Sequence, residues 1–169
     1  MQETKAKTIL DIGTGSGCIS ISLAKKIESA QIYAFDVSTL AIEVAKKNAI
    51  KNGVKNIHFQ EVNILKPYDG KEKYDLIVSN PPYFQSSLKN PNQARATARH
   101  TDTLSYRELI CHSARLLAKK GILALILPAE SDQEILSLAK EYHLMPTHVT
   151  YVHSKPGKDA RPILMAFCY

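Results

Sequence analysis

Short apolar runs alternate along this chain with longer stretches in which apolar residues return every three or four positions. Short runs bounded by turn residues fit buried strands, and the longer period fits helices that lay one face on a sheet. The pattern predicts strands at Thr8–Asp11, Gln31–Phe35, Ile57–Glu61, Tyr74–Ser79, Gly121–Leu127, Pro146–His153 and Ile163–Cys168. Helices are predicted near Cys18–Glu28, Thr39–Asn52, Tyr106–Lys119 and Asp132–Tyr142. Strands alternating with helices imply an α/β fold around a mostly parallel sheet. Ser105-x-x-Glu108 and Ser131-x-x-Glu134 read as capping boxes, in which serine and glutamate satisfy reciprocal backbone donors. Gly53 and Gly121 each follow a predicted helix, where a left-handed residue commonly ends it.

The final two strands have no helix between them, only a turn around Ser154-Lys155-Pro156-Gly157-Lys158. They should pair antiparallel at one end of the sheet. No repeat or low-complexity stretch breaks the pattern, and 169 residues suit a single domain with its own core. The interval from Phe84 to Thr103 is long for a connection in a compact domain, and such loops are usually functional or disordered.

Candidate chemistry gathers where strands end. Strand one runs into Asp11-Ile12-Gly13-Thr14-Gly15-Ser16-Gly17 and then a helix. Glycines there let a ligand approach the backbone closely. The spacing is G-x-G-x-G, whereas the dinucleotide fingerprint is G-x-G-x-x-G. Asp36 ends strand two, where a carboxylate can accept both hydroxyls of a ribose; Ser38 is the better cap for the following helix, which frees Asp36 for a ligand. Asn63, just after strand three, stands where a side chain could meet an adenine edge, and an ordinary turn asparagine is an equal reading.

Asn80-Pro81-Pro82-Tyr83 follows strand four. An exocyclic or carboxamide nitrogen is a poor nucleophile while its lone pair is delocalised. The Asn80 side-chain oxygen and the Pro81 carbonyl could accept its N–H protons and turn that lone pair toward an electrophile. Tyr83 could stack on a flat substrate, an interaction worth roughly 1–3 kcal/mol for a base. Taken alone, the four residues also admit a reading as loop punctuation, the less favoured of the two.

A formal net charge of +6 favours a polyanionic partner. Lys89, Arg95, Arg99 and His100 face Asp102 alone in the long interval, as RNA-phosphate contacts or as a solvated loop face. A second cluster, Lys155, Lys158 and Arg161, sits in the late turn. Cys18, Cys111 and Cys168 are far apart, which argues against a disulfide framework and fits a reducing cytoplasm. Neither they nor His58, His112, His143, His148 and His153 show metal-ligand spacing, so no metal is expected. No apolar run approaches about 18 residues, so a soluble cytoplasmic protein without membrane contact is expected.

Together, Asp-x-Gly-x-Gly-x-Gly, the acidic end of strand two and Asn-Pro-Pro-Tyr after strand four resemble the class I S-adenosylmethionine-dependent methyltransferases that act on planar nitrogens. The resemblance covers essentially the whole chain. It implies a Rossmann-like seven-stranded sheet of order 3-2-1-4-5-7-6, mostly parallel with an antiparallel last strand, and S-adenosylmethionine as cofactor. Asp11, Gly13, Gly15, Gly17, Asp36, Asn63 and Asn80 would hold that cofactor, while Asn80, Pro81 and Tyr83 orient the target nitrogen. Pro82, Phe84, Arg95, Arg99 and His100 would meet the substrate, Phe84 being as readily a core residue.

Within that superfamily, Asn80-Pro81-Pro82-Tyr83-Phe84, Ala94-Arg95-x-x-Ala98-Arg99-His100, Leu104 and Leu125-Ile126-Leu127-Pro128 are similar to the bacterial tRNA (adenine-N6)-methyltransferases. The implied substrate is adenine at position 37, beside the anticodon of valine tRNA, with a monomer as the expected state. The alternative is the glutamine-N5 methyltransferases of peptide release factors, which more often show Tyr-Ile after the prolines and Glu-x-Gly after strand five, where this chain reads Leu127-Pro128-Ala129. A nicotinamide-dependent oxidoreductase and a non-catalytic cofactor- or RNA-binding module are further alternatives. This chain starts almost on strand one, so a single domain over residues 1–169 without the family's usual amino-terminal extension is expected.

Overall fold

The computed structural model describes residues 7–65, 72–81, 104–155 and 157–169. In chain order these form β1 (Thr8–Ile12), α1 (Cys18–Lys26), β2 (Gln31–Asp36), α2 (Thr39–Lys51), β3 (Ile57–Glu61), β4 (Tyr74–Ser79), α3 (Tyr106–Leu116), β5 (Leu117–Pro128), a 3-10 turn (Ala129–Ser131), α4 (Asp132–Glu141), β6 (Met145–His153) and β7 (Ala160–Cys168). The seven strands lie in the order β3-β2-β1-β4-β5-β7-β6, the order that the family resemblance implies. β3, β2, β1, β4 and β5 pair in parallel, and β7 pairs antiparallel with both β5 and β6.

Alternation along the strands divides the core between two sheet faces. On one face Ile9, Ile32 and Leu76 pack with Ala24 of α1. On the other, Leu10, Ile12, Ile77, Leu123, Leu125, Leu127 and Phe167 meet Leu109 and Ile110 of α3 and Ile135 and Leu138 of α4. The central strands, covered on both faces, are therefore nearly continuous apolar runs, while the edge strand β6 is exposed along its whole length.

Three local expectations are corrected. Predicted to reach Lys119, α3 ends at Leu116, and its last residues give way to a strand that begins at Leu117 beside Tyr74. Gly121, expected as a left-handed helix end, instead lies within β5; a Cβ there would sit 2.7 Å from the Tyr74 carbonyl oxygen. Close approach of two strands, rather than positive φ, demands glycine at this position. Finally, Ser131 belongs to the 3-10 turn in the right-handed helical region, with φ −89 and ψ −2, and makes no side-chain cap bond. An N-cap needs extended backbone. The Ser131 hydroxyl instead lies 3.2 Å from the Tyr106 hydroxyl.

The capping box at Ser105 is complete, with both reciprocal bonds to Glu108, and Gly53 ends α2 with φ +69.

Candidate active site

Parallel strands bring all their carboxyl ends to one edge, and the strand order decides which of them are neighbours. Along that edge stand, in succession, Asn63 after β3, Asp36 ending β2, the glycine turn after β1 and Asn80 after β4.

The glycine turn is docked onto the end of β2. The Gly13 and Thr14 amides both donate to the Phe35 carbonyl at 2.9 Å, and the Gly15 amide donates to the Asp36 carboxylate at 2.8 Å. The Gly17 amide closes the turn on the Thr14 carbonyl at 2.9 Å. Four turn amides are thereby satisfied internally. A pyrophosphate-binding turn offers its amides to the ligand instead, so this turn suits a cofactor without phosphates. Gly17 begins α1 at φ +81, and a Cβ there would meet the Ala45 Cβ at 3.1 Å. Glycine is therefore required where α2 crosses the turn. Asn48, also on α2, donates its side-chain amide to the Ser16 carbonyl at 2.9 Å.

Beneath the turn, Asp11 is almost wholly buried, with 1% of its surface exposed. One of its carboxylate oxygens accepts the Ser20 hydroxyl at 2.6 Å and the Thr14 hydroxyl at 2.8 Å. Its other oxygen, Oδ1, has no partner among the described residues. Burial pushes the Asp11 carboxyl above its ordinary value, the Ser20 and Thr14 hydroxyls pull it part of the way back, and the Asp36 charge adds a small upward push. An orphaned acceptor under a ligand turn suits a donor such as a ligand ammonium group.

Asp36 is better placed than an N-cap reading would allow. Ser38 caps α2 through its hydroxyl, which accepts from the Ala41 amide at 3.2 Å. The two Asp36 oxygens accept one amide each, from Gly15 and from Ser38 at 2.9 Å. A carboxylate offers about four acceptor positions, so two remain, the number that a ribose diol uses. Asn63 uses its side-chain oxygen within its own turn, accepting from the Leu65 amide at 3.0 Å. Its role as a turn residue is therefore realised, and its NH2 group is the part left to meet a ring nitrogen.

On β4, Ser79 is buried and donates its hydroxyl to the Ile12 carbonyl at 2.7 Å, while Asn80, the next residue, is exposed and Pro81 is buried. Since Ser79 and Ile12 are register partners, Asn80 leaves the sheet beside Gly13. Neighbouring strands lie about 4.8 Å apart, so the residue expected to hold the target nitrogen stands one strand from the cofactor turn. Pro82, Tyr83, Phe84, Arg95, Arg99 and His100 lie outside the described residues.

Ser20, Thr14, Ser79 and Asn48 are supporting residues that spacing did not single out. Serine and asparagine have many roles, and only the tertiary contact marks these.

A cavity of about 470 Å³ lined by Lys73, Leu117, Ala118, Lys119 and Tyr169 opens at the opposite, amino edge of the sheet. Among the described residues no group of three or more His, Cys, Asp or Glu is placed to hold a metal, and no helix is long and apolar enough to cross a membrane.

A Rossmann-like sheet of this order, with a glycine turn after β1, a carboxylate ending β2 and an asparagine after β4, has the class I methyltransferase architecture. The chain belongs to the methyltransferase small domain family, which residues 1–148 match. It is 39% identical over 162 residues to the tRNA1(Val) (adenine(37)-N6)-methyltransferase of Phocaeicola vulgatus, covering 96% of this chain and 69% of that protein. It is 36% identical over 169 residues to the protein of the same name from Bacteroides thetaiotaomicron, covering 97% and 70%. Among solved structures, the ribosomal protein L11 methylase of Lactobacillus delbrueckii superposes with a TM-score of 0.72 at 23% identity, covering 98% of this chain and 71% of that one, a likeness of fold.

Proposed function

We propose that this chain transfers a methyl group from S-adenosylmethionine to the exocyclic N6 of an adenine in tRNA, at anticodon-loop position 37. The observation that carries this is the placement of Asn80 one strand from the glycine turn, with Ser79 fastened to Ile12 between them. The names carried by the Phocaeicola and Bacteroides relatives supply the base and the tRNA.

The residues present fit the cofactor. The glycine turn leaves open space at Gly13 and Gly15, where an added Cβ would meet nothing within 4 Å, and Asp36 keeps two acceptor positions for a ribose. The unpartnered oxygen of Asp11 suits an ammonium group. When bound, S-adenosylmethionine supplies an electrophilic methyl on a sulfonium.

The chain's own contribution is to orient and hold. The Asn80 side-chain oxygen and the Pro81 carbonyl accept the two N–H groups of the adenine amine, which directs its lone pair at the methyl. Tyr83 stacks on the flipped base, offsetting part of the unstacking that brings it out of the loop. Arg95, Arg99 and His100 bind flanking phosphates. No general base is required, because the methylated amine gives its extra proton to water.

The test is methylation with tritiated cofactor on bulk tRNA and, in parallel, on a peptide release factor, with mass spectrometry of the tRNA nucleosides. Label in N6-methyladenosine is expected, and Asn80→Ala should abolish it with a much smaller effect on cofactor affinity. Label confined to the release factor would replace the adenine by a glutamine amide.

A further inference from the structure

The β6–β7 turn carries Lys155 and Lys158, and Arg161 stands at the start of β7, a cluster to which the methyl-transfer site assigns no task. We propose that this hairpin tip is a second phosphate-binding surface for the RNA that enters the site, an inference that rests on the RNA reading above.

Topology places the tip. Leu127 pairs with Ile163 and Pro128 with Pro162 at the carboxyl end of β5, and the β6–β7 ladder runs one pair further, to His153 with Ala160. Since Ser79 pairs with Leu125 of the same strand, the turn projects from the edge that carries Asn80. Only β5 separates β4 from β7, so the strands bearing Asn80 and Arg161 are about 10 Å apart, and β6 adds roughly 5 Å. Extended Lys and Arg side chains span much of that distance. This edge offers the phosphates flanking a base held at Asn80 one path out of the site.

The tip is also built to present charge. Gly157 has φ +78, the Lys158 amide donates to the Lys155 carbonyl at 3.2 Å, and Nδ1 of His153 lies 2.6 Å from the Lys158 carbonyl. These bonds tie Lys155, Lys158 and His153 to one another across the turn. Lys155, Lys158 and Arg161 are exposed, and none of them pairs with a carboxylate among the described residues. Asp159 is the one acid between His153 and Arg161. Cations on a closed turn beside a base-holding site suit the phosphodiester backbone, which positions an RNA without reading its sequence.

The experiment compares the unaltered chain with a Lys155→Ala, Lys158→Ala, Arg161→Ala triple variant, using unmodified tRNA across a series of salt concentrations. The triple variant should raise the tRNA Kd at least roughly tenfold and reduce the slope of log affinity against log salt by about 2, since three phosphate contacts contribute about 0.7 each. Cofactor affinity, melting temperature and kcat at saturating tRNA should not change. If the unaltered chain binds tRNA and the variant binds it with the same affinity and slope, the hairpin has no such role and the RNA reading stands. If the unaltered chain does not bind tRNA at all, the RNA reading fails and the hairpin proposal fails with it.

Discussion

The Ser79 hydroxyl donates to the Ile12 carbonyl at 2.7 Å, joining the residue before Asn80 to the residue before Gly13. Both are buried and opposite each other in the β1–β4 ladder. This bond ties the glycine turn to the strand end that carries Asn80, the residue proposed to hold the target nitrogen. Ser79→Ala leaves a strand-end carbonyl short of one donor and lets the Asn80 end shift. Stability should fall by about 1 kcal/mol in urea unfolding. Single-turnover methylation should slow roughly tenfold or more, because small misplacements are costly in an oriented transfer, while the cofactor Kd moves little. An unaltered rate would show that the sheet alone holds the Asn80 end in place.

Asp36 supports the turn through Gly15 and keeps two acceptor positions toward the ligand. Asp36→Ala removes both contributions. Hydrogen bonds to a charged group are worth about 1.5–3 kcal/mol each, so losing even one of them should raise the cofactor Kd between about 10-fold and 100-fold by calorimetry. Retained affinity would exclude Asp36 from ribose binding.

Gly17 and Gly121 resist substitution for different reasons. Gly17→Ala combines a Cβ 3.1 Å from the Ala45 Cβ with φ +81 and should cost about 1–3 kcal/mol. Gly121→Ala drives a Cβ to 2.7 Å from the Tyr74 backbone oxygen, where no side chain can yield, and should cost more. Ala45→Gly should relieve part of the Gly17→Ala loss and none of the Gly121→Ala loss in thermal unfolding.

Acid should loosen the start of the sheet. Burial is the largest single influence on the Asp75 carboxyl and pushes it up, but the Lys7 and Thr8 amides at 2.8 and 3.0 Å, the Thr8 hydroxyl and the Lys7 charge together outweigh it, so its pKa lies below the ordinary 3.8. A depressed folded value means that the unfolded chain binds more protons, so this stability is fully present above pH 3.8 and is lost as pH falls through the folded value. Asp75→Asn should flatten that acid limb in denaturant melts taken at successive pH values. Asp11 has the opposite sign: its raised pKa makes stability fall as pH rises from 3.8 through the folded value. Melts of Asp11→Asn should lack that decline.

Arg107 and Glu141 join α3 to α4 through two bonds of 2.5 and 3.1 Å, with both side chains about half exposed. A double-mutant cycle should find a weak coupling that weakens further in high salt, because water screens the pair.

Much of this was legible before any coordinates. Buried parallel strands must be apolar runs, and covering helices must carry an apolar face, so the strand from Thr8 and the helix from Tyr106 stand out by period, though not the ends at Ile12 and Leu116. The Ser105 capping box is equally local, since its bonds span three residues. The Ser131 box failed because the preceding 3-10 turn, pressed against Tyr106, set its backbone angles. Gly121 misled for the same kind of reason: its neighbour Tyr74 is distant in sequence.

The order of polar residues along the chain thus determined that Asp11, the three glycines, Asp36, Asn63 and Asn80 each follow or end a strand, and so must share one edge of a parallel sheet. Which of them are neighbours was decided only by folding. β4 inserts beside β1, bringing Ser79 onto Ile12 across 67 residues, and β7 inserts between β5 and β6, turning a basic hairpin toward the same edge. Local spacing encodes turns and periods, whereas strand order follows from burying every apolar face at once, a condition that no single segment contains.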